Sequence, residues 1–179
     1  VKLGLQWDIT DKFAVAASYA PKVSMSKLKD YSDLFSDDGN MDIPAYLKVG
    51  LTFRPSSSFA LNFDVENIWY NDVVSVGNSF SNLFNCPTAN PMATDTSYCL
   101  GGKNGAGFGW EDMDIFKFGL EWERTEEWTY RFGYSYSDDQ PIPDDEVLFN
   151  ILAPATIEQH ASFGFTRTFE SQNELNFAF

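Results

Sequence analysis

The sequence has little positive charge, a single histidine and no long apolar segment. Twelve Lys and Arg residues stand against 26 Asp and Glu residues, which gives a formal net charge of −14. This balance excludes the basic surface that nucleic-acid binding requires. No run approaches the ~18 consecutive apolar residues of a transmembrane helix. No signal peptide is visible either, because Val1 opens directly on a strand-like pattern.

The motifs of common enzyme classes are also missing. The chain has no Gly-x-Ser-x-Gly nucleophile elbow. The glycine-rich segment 101–109 lacks the Gly-Lys-Ser/Thr ending of a phosphate-binding loop, and we expect it to be a flexible loop. His160 has Ser162 nearby in sequence but no evident orienting acid. The sequence therefore predicts no catalytic residue, no cofactor and no metal, and thus a protein that is not an enzyme.

Aromatic and aliphatic residues instead alternate with small, polar or charged ones. From Trp128 to Tyr136 every second residue is aromatic, and those between are Thr, Arg, Gly and Ser. Alternate side chains of a β-strand point to opposite faces, so this segment would carry an unbroken aromatic face. The same alternation, in places weaker, predicts eight strands, each close to the ~9–11 residues that cross a bilayer. They lie at about 2–8, 12–19, 46–54, 59–66, 115–123, 128–136, 158–169 and 174–179.

Short and long connections alternate strictly between these strands. The long ones span about 20–44, 71–112 and 138–157. Outer-membrane barrels have short periplasmic turns at one end and long extracellular loops at the other. The pattern therefore predicts an all-β fold, an antiparallel transmembrane β-barrel in one domain over 1–179, located in the bacterial outer membrane. A soluble β-sandwich is the alternative, but strict alternation of loop lengths is less expected there.

Charged residues of both signs occupy the non-aromatic face of the predicted strands. Such a face in a barrel looks into the lumen, where opposite charges on neighbouring strands can form ion pairs. These side chains either hold the wall together or line a path for a substrate. The lumen-facing candidates are Lys48, Asp64, Glu66, Lys117, Glu121, Arg131 and His160, with Arg54 and Glu123 on the same face.

Two features of the predicted loops carry further expectations. Cys86 and Cys99 both lie in the longest loop, and an oxidising compartment favours a disulfide between them over two free thiols. Acidic residues are concentrated in the first and third loops, where solvated surface is the favoured interpretation. Segment 37–42 alternates oxygen ligands as a divalent-cation site would, but no closing Glu completes an EF-hand loop.

Several motifs in order resemble one known family. They include Trp110-Glu111-Asp112-Met113-Asp114, Tyr130-Arg131-Phe132-Gly133-Tyr134-Ser135-Tyr136 and His160-Ala161-Ser162-Phe163-Gly164-Phe165, with Tyr19-Ala20-Pro21 near the start. They resemble the closing strands of the FadL family of outer-membrane transporters for long-chain fatty acids and other hydrophobic compounds. The resemblance implies a larger barrel of fourteen strands, plugged by an N-terminal hatch. We therefore expect at least one strand after Phe179 and several before Val1, so that the chain is truncated at both ends.

The resemblance also implies a function, namely passive uptake of hydrophobic compounds such as long-chain fatty acids. This chain would supply barrel wall and extracellular loops, and its partners would be outer-membrane lipid and a hydrophobic small molecule, in a monomeric barrel. A non-transport barrel, such as an adhesin or structural anchor, and a membrane-barrel hydrolase are the alternatives. Apolar loop residues are candidates for substrate capture or, equally, for local packing of the loops. They are Phe80, Leu83, Phe84, Val147, Leu148, Phe149, Ile151 and Leu152.

Overall fold

The computed structural model describes residues 1–138, 142–151 and 157–179. Eight strands in these residues form one antiparallel sheet in which each strand pairs with its neighbours in sequence, in the order β1 to β8. The strands are β1 (Leu3–Thr10), β2 (Phe13–Ala20), β3 (Tyr46–Ser56), β4 (Phe59–Ile68), β5 (Met113–Thr125), β6 (Trp128–Asp138), β7 (Gln159–Thr168) and β8 (Glu174–Ala178). The predicted all-β antiparallel fold is confirmed.

Connections in the structure alternate in length. Turns of two residues, 11–12, 57–58 and 126–127, and a turn at 169–173 join the hairpins at one end of the sheet. The strands predicted at about 2–8 and 12–19 leave a first turn at 9–11, which is wrong at its start, because Ile9 and Thr10 continue β1 and Thr10 pairs with Phe13. The other ends of the strands are joined by the connections 21–45, 69–112 and 139–158.

Short helices lie within the three long connections. They are α1 (Ser36–Gly39), α2 (Val74–Gly77) and α3 (Val147–Asn150), together with 3-10 helices at Lys29–Tyr31, Tyr70–Asp72, Phe80–Asn85, Thr96–Tyr98 and Asp144–Glu146. α1 is an irregular turn, because Asp37 and Asp38 both have left-handed φ angles of 54° and 56°. No helix of the described segments is long and apolar enough to span a bilayer.

The two faces of the sheet differ as the alternation predicts. One face presents large apolar side chains that stay exposed, among them Leu5 at 73%, Trp7 at 63% and Phe132 at 49%. A soluble sheet would bury such a face in a core, and exposed apolar surface of this extent marks a membrane-contacting surface. Among the described residues, the fully buried side chains lie mainly in the long connections rather than in the strands, for example Val73, Cys86, Ser36 and Ser75.

Aromatic rings form a continuous row across the apolar face close to the short turns. The register aligns Phe59 with Trp122, Trp122 with Tyr130, Tyr130 with Phe165 and Phe165 with Phe177. Phe59 and Trp122 are stacked at 5.6 Å, and Phe165 and Phe177 at 5.4 Å. We call these five residues the aromatic row. It corresponds to the aromatic girdle that outer-membrane barrels place at a membrane interface.

Candidate functional site: the polar face and the loop cap

Lys48, Glu66 and Lys117 form a three-residue ion cluster on the polar face. Lys48 lies opposite Glu66 in the register of β3 and β4. The Nζ atoms of Lys48 and Lys117 lie 3.2 Å and 2.5 Å from the same Oε2 atom of Glu66. One carboxylate thus serves two lysines, and the side chain of Glu66 is only 13% exposed. Removing this acid would leave two ammonium groups side by side.

Asp64 extends this cluster toward β3. It lies opposite Lys117 on β5 and opposite Gly50 on β3. A Cβ atom at Gly50 would come within 2.1 Å of the Asp64 Oδ1 atom, so the carboxylate occupies the space that a larger residue at position 50 would fill. The presence of glycine at position 50 of β3 is therefore explained by the side chain of Asp64 on β4. Two lysines and two acids make this part of the face close to neutral.

Arg131 centres a second polar cluster, nearer the short turns. Its Nε donates to Glu121 Oε2 at 2.6 Å, and its Nη1 donates to Thr166 Oγ1 at 2.7 Å. The Thr166 hydroxyl in turn donates to Asn176 Oδ1 at 2.6 Å. This chain of hydrogen bonds crosses β5, β6, β7 and β8. The predicted cross-strand pairing of charges is thus present in two clusters, each of which ties neighbouring strands together.

His160 is exposed on the polar face, opposite Ser135 in register. It borders a cavity of about 170 Å³, which is also lined by Met113, Ile115, Lys117 and Ile157. All seven predicted lumen-facing residues therefore share one face of the sheet, as their alternation requires. The structure brings six of them into the two clusters and leaves His160 apart from both.

The three long connections pack against one another. We call their described residues, 21–45, 69–112, 142–151 and 157–158, the loop cap. Ser36 is fully buried in the first connection, and its hydroxyl donates to the carbonyl oxygens of Gly105 at 3.0 Å and Ala106 at 2.9 Å in the second. The backbone N–H groups of Asp37 and Asp38 donate to Gly102 and Gly101. The first two connections are therefore joined largely through backbone atoms.

The glycine-rich segment 101–109 lies at the centre of this packing, and its interpretation as a flexible loop is wrong. Gly101 and Gly109 have φ angles of +77° and +67°, which favour glycine. A Cβ at Gly101 would lie 2.4 Å from the Ser32 carbonyl oxygen, and one at Gly109 would lie 2.3 Å from Glu146 Cδ. The glycines let neighbouring backbone and side chains approach closely, which composition alone does not reveal.

Glu146 joins the third connection to the second. Its side chain is buried, and its carboxylate accepts hydrogen bonds from the Ser79 hydroxyl and from the Phe80 N–H, the latter at 2.9 Å. Asn150, one turn later, donates to the carbonyl oxygen of Phe108 at 2.6 Å and accepts from Trp110 Nε1 at 2.6 Å. Sequence reasoning missed both residues, because Glu146 stands in an acidic run and Asn150 in an apolar one.

Those predicted capture residues that the structure describes lie around this junction. Phe80 and Phe84 make an edge-to-face pair with ring centroids 6.2 Å apart, and Phe84 remains 62% exposed. Leu83, between them, is half-buried. Val147 and Ile151 on the third connection are 52% and 68% exposed. The side chains of Leu148 and Phe149, and all of Leu152, lie outside the described residues.

Cys86 and Cys99 form a disulfide, and their Cα atoms are 4.7 Å apart. Cys86 is buried at 1% exposure. Just before Cys99, the Asp95 carboxylate accepts the Ser97 N–H at 2.9 Å, and this backbone hydrogen bond lowers the pKa of Asp95. The expected disulfide is thus present and closes the segment between the two cysteines.

The acidic first connection is neutralised in part by a lysine. Lys27 Nζ lies 3.4 Å from Asp37 and 3.3 Å from Asp38. Asp42, which would complete the suggested cation site, accepts the Met25 N–H at 2.9 Å. In the part of the chain that the structure describes, no group of three or more His, Cys, Asp or Glu side chains is placed to hold a metal ion.

The chain matches a known family over nearly its whole length. Residues 2–179 fit the model of the family described as Outer membrane protein transport protein (OMPP1/FadL/TodX). The chain belongs to this family. It is therefore a bacterial outer-membrane protein of a transport family rather than an enzyme, and the predicted family and location are confirmed.

Solved structures of this family share the fold. The toluene transporter TodX of Pseudomonas putida is 18% identical, with a TM-score of 0.58 over 99% of this chain. A FadL homologue of Pseudomonas aeruginosa is 15% identical, with the same TM-score and coverage. This chain spans 42% and 41% of those two chains, so its sheet corresponds to part of a larger barrel. No curated protein sequence matches the chain at a significant level.

Proposed function

We propose that the protein carrying this chain conducts hydrophobic compounds passively across the outer membrane. The observation that carries the proposal is the match of residues 2–179 to a transport family of the outer membrane. The alternation of an exposed apolar face with a paired polar face supports it, since this is how a barrel wall separates lipid from a lumen. Transport family membership weighs against an adhesin or a structural anchor.

The polar face is proposed to line the interior of the barrel. The clusters around Glu66 and Arg131 consist of paired charges, which stiffen the wall and present little net charge to a passing molecule. An apolar substrate would encounter fewer unpaired charges there than on a face whose charged residues were all positive or all negative. His160, outside both clusters, is the member of the set most open to contact with a passing molecule.

The loop cap is proposed to receive the substrate. Exposed apolar side chains on the second and third connections, Phe84, Val147 and Ile151, offer contacts to a hydrophobic compound at the mouth of the barrel. Glu146 fixes the middle of the third connection beside Phe80, so the two predicted capture segments are neighbours. Long-chain fatty acids are the proposed substrate class, and aromatic hydrocarbons are the competing class, because one solved structure of similar fold is a toluene transporter.

Uptake into liposomes tests the proposal. The full-length protein that contains this chain is reconstituted, and entry of oleate, toluene and a disaccharide is compared with entry into empty liposomes. We expect faster entry of at least one hydrophobic compound and no effect on the disaccharide. Faster oleate than toluene uptake supports the fatty-acid assignment, and the reverse supports aromatic hydrocarbons. No acceleration of either would overturn the transport proposal.

A further inference from the structure

Charges on the apolar face of the sheet occur only where strands end. Among the described strands, the charged residues with the parity of the apolar face are Asp114 and Asp138 at the loop end, and Arg124 and Arg167 near the turns. Charged side chains on the lipid face of a barrel are costly at the bilayer midplane and tolerated near its interfaces. The two arginines therefore mark the level of lipid headgroups at the turn end.

Aromatic rings cover both arginines. Arg167 lies opposite Trp128 in register, with its guanidinium carbon 5.2 Å from the Trp128 ring centroid and 4.9 Å from that of Phe169. The guanidinium carbon of Arg124 lies 5.8 Å from the ring centroid of Trp122. Cation–π contacts hold the positive groups against the outer surface without neutralising their charge. Both arginines lie beside the aromatic row, at the level where the aromatic girdle of a barrel meets the lipid headgroups.

Neither arginine has an acidic partner among the described residues. The salt bridges of the structure include Arg54 and Arg131, but neither Arg124 nor Arg167. The Nε atom of Arg167 is buried and has no hydrogen-bond partner in the described part of the chain. Glu126, Glu127 and Glu170 stand in the adjacent turns, yet none lies within ion-pair distance of either arginine. Two positive charges are thus left facing the membrane on a chain whose net charge is −14.

We propose that Arg124 and Arg167, with Trp122 and Trp128, form a site on the outer surface for the phosphate of an anionic phospholipid headgroup. Short turns of outer-membrane barrels lie at the periplasmic side, so the ligand belongs to the periplasmic leaflet. Guanidinium groups bind phosphate oxygens in pairs, and the indole rings pack on the glycerol and upper acyl carbons. The site lies on the opposite side of the wall from the lumen and does not depend on which compound is transported.

Lipid retention in native mass spectrometry tests this site. The full-length protein is exchanged into micelles with equal phosphatidylglycerol and phosphatidylcholine, and the ratio of the two lipids that remain bound is measured. We expect the wild-type protein to be enriched in phosphatidylglycerol. The double variant Arg124→Gln/Arg167→Gln should lose that enrichment, by roughly fivefold for each arginine removed. Heat-modifiable migration in gels checks that the variant is folded.

A matched control separates a local site from net charge. Lys29→Gln/Lys103→Gln removes the same charge from two exposed positions of the loop cap and should keep the wild-type enrichment. Equal losses in both double variants would overturn the proposal in favour of bulk electrostatics. An unchanged ratio in the arginine variant would overturn it as well. If the arginine variant fails to fold, the ratio of bound phosphatidylglycerol to phosphatidylcholine in the wild-type protein still tests the proposal. A wild-type protein that is not enriched in phosphatidylglycerol excludes the site.

Discussion

The carboxylate of Glu146 accepts the backbone N–H of Phe80 at 2.9 Å, and this contact joins the second long connection to the third. The carboxylate is buried and also accepts the Ser79 hydroxyl. A buried acceptor that satisfies two donors is costly to remove, because both donors then lose their partner. The position of the third connection is therefore expected to depend on this side chain, together with Asn150.

Replacing Glu146 with Ala should open the loop cap locally. Hydrogen bonds to a charged acceptor contribute about 2 kcal/mol, and the loss should appear as faster proteolysis of the opened state. Lys103 is the trypsin site of the second connection. We expect cleavage after Lys103, followed by mass spectrometry, to accelerate roughly thirtyfold. Asp145→Ala removes an exposed neighbouring acid and should leave the rate unchanged. Equal rates for the two variants would contradict the role given to Glu146.

Removing the disulfide should affect the loop cap and spare the strands. A closed loop of about 15 residues stabilises by about 3 kcal/mol in the chain-entropy model. Cys86→Ser/Cys99→Ser should therefore make the segment between the cysteines a preferred site for chymotrypsin, for example after Tyr98. Heat-modifiable migration should stay as in the wild type, because the disulfide joins two residues of the second connection and includes no strand residue. Loss of that migration would mean that the disulfide stabilises the barrel itself.

Glu66→Gln should destabilise the wall more than an exposed acid-to-amide change. The substitution leaves the ammonium groups of Lys48 and Lys117 close together without their shared carboxylate. We expect the free energy of unfolding, measured in urea with the protein in lipid vesicles, to fall by about 2 kcal/mol. Glu126→Gln in a short turn serves as control and should change it by less than about 0.5 kcal/mol.

A second substitution checks the cause of that loss. Adding Lys48→Gln to Glu66→Gln removes one of the two ammonium groups, so part of the lost stability should return. A double variant that is less stable than Glu66→Gln alone would show that packing, rather than charge, accounts for the effect.

Phe84→Ala should weaken substrate capture if the exposed apolar residues of the loop cap bind the transported compound. Phe84 is 62% exposed and pairs edge-to-face with Phe80. We expect the concentration for half-maximal uptake into liposomes to rise roughly fivefold, in line with about 1 kcal/mol for a lost aromatic contact. The maximal rate should not change. Tyr31→Ala removes a comparably exposed ring, at 56%, from the first connection and is the matched control. A rise of the same size in both would point to general surface hydrophobicity.

The strands could be predicted from sequence because their signal is local. In a sheet with one lipid face and one polar face, each residue reports its own side by its polarity, so period two is visible within a single segment such as β6. The same parity places Lys48, Glu66 and Lys117 on one face. This parity does not show that the two lysines share the Glu66 carboxylate, because that contact depends on the register between the strands.

The loop cap could not be predicted in the same way. Its contacts run largely through backbone atoms, as between Ser36 and the carbonyl oxygens of Gly105 and Ala106, and backbone donors and acceptors carry no residue-specific signal. The glycine content predicts a flexible loop, whereas the positive φ angles of Gly101 and Gly109 serve close packing. A buried Glu146 is also contrary to the usual exposure of acids, so composition argues against it.

The strictly sequential strand order has a consequence for the order of folding. The four hairpins closed by the short turns bring together residues that are close in sequence. The strand pairs joined by the long connections and the contacts of the loop cap instead join distant residues: Ser36 and Gly105 are 69 residues apart, and Ser79 and Glu146 are 67 apart. Pairings between distant segments are slower to form. We expect the four short-turn hairpins to form first, and their pairing across the long connections, together with the closure of the loop cap, to follow.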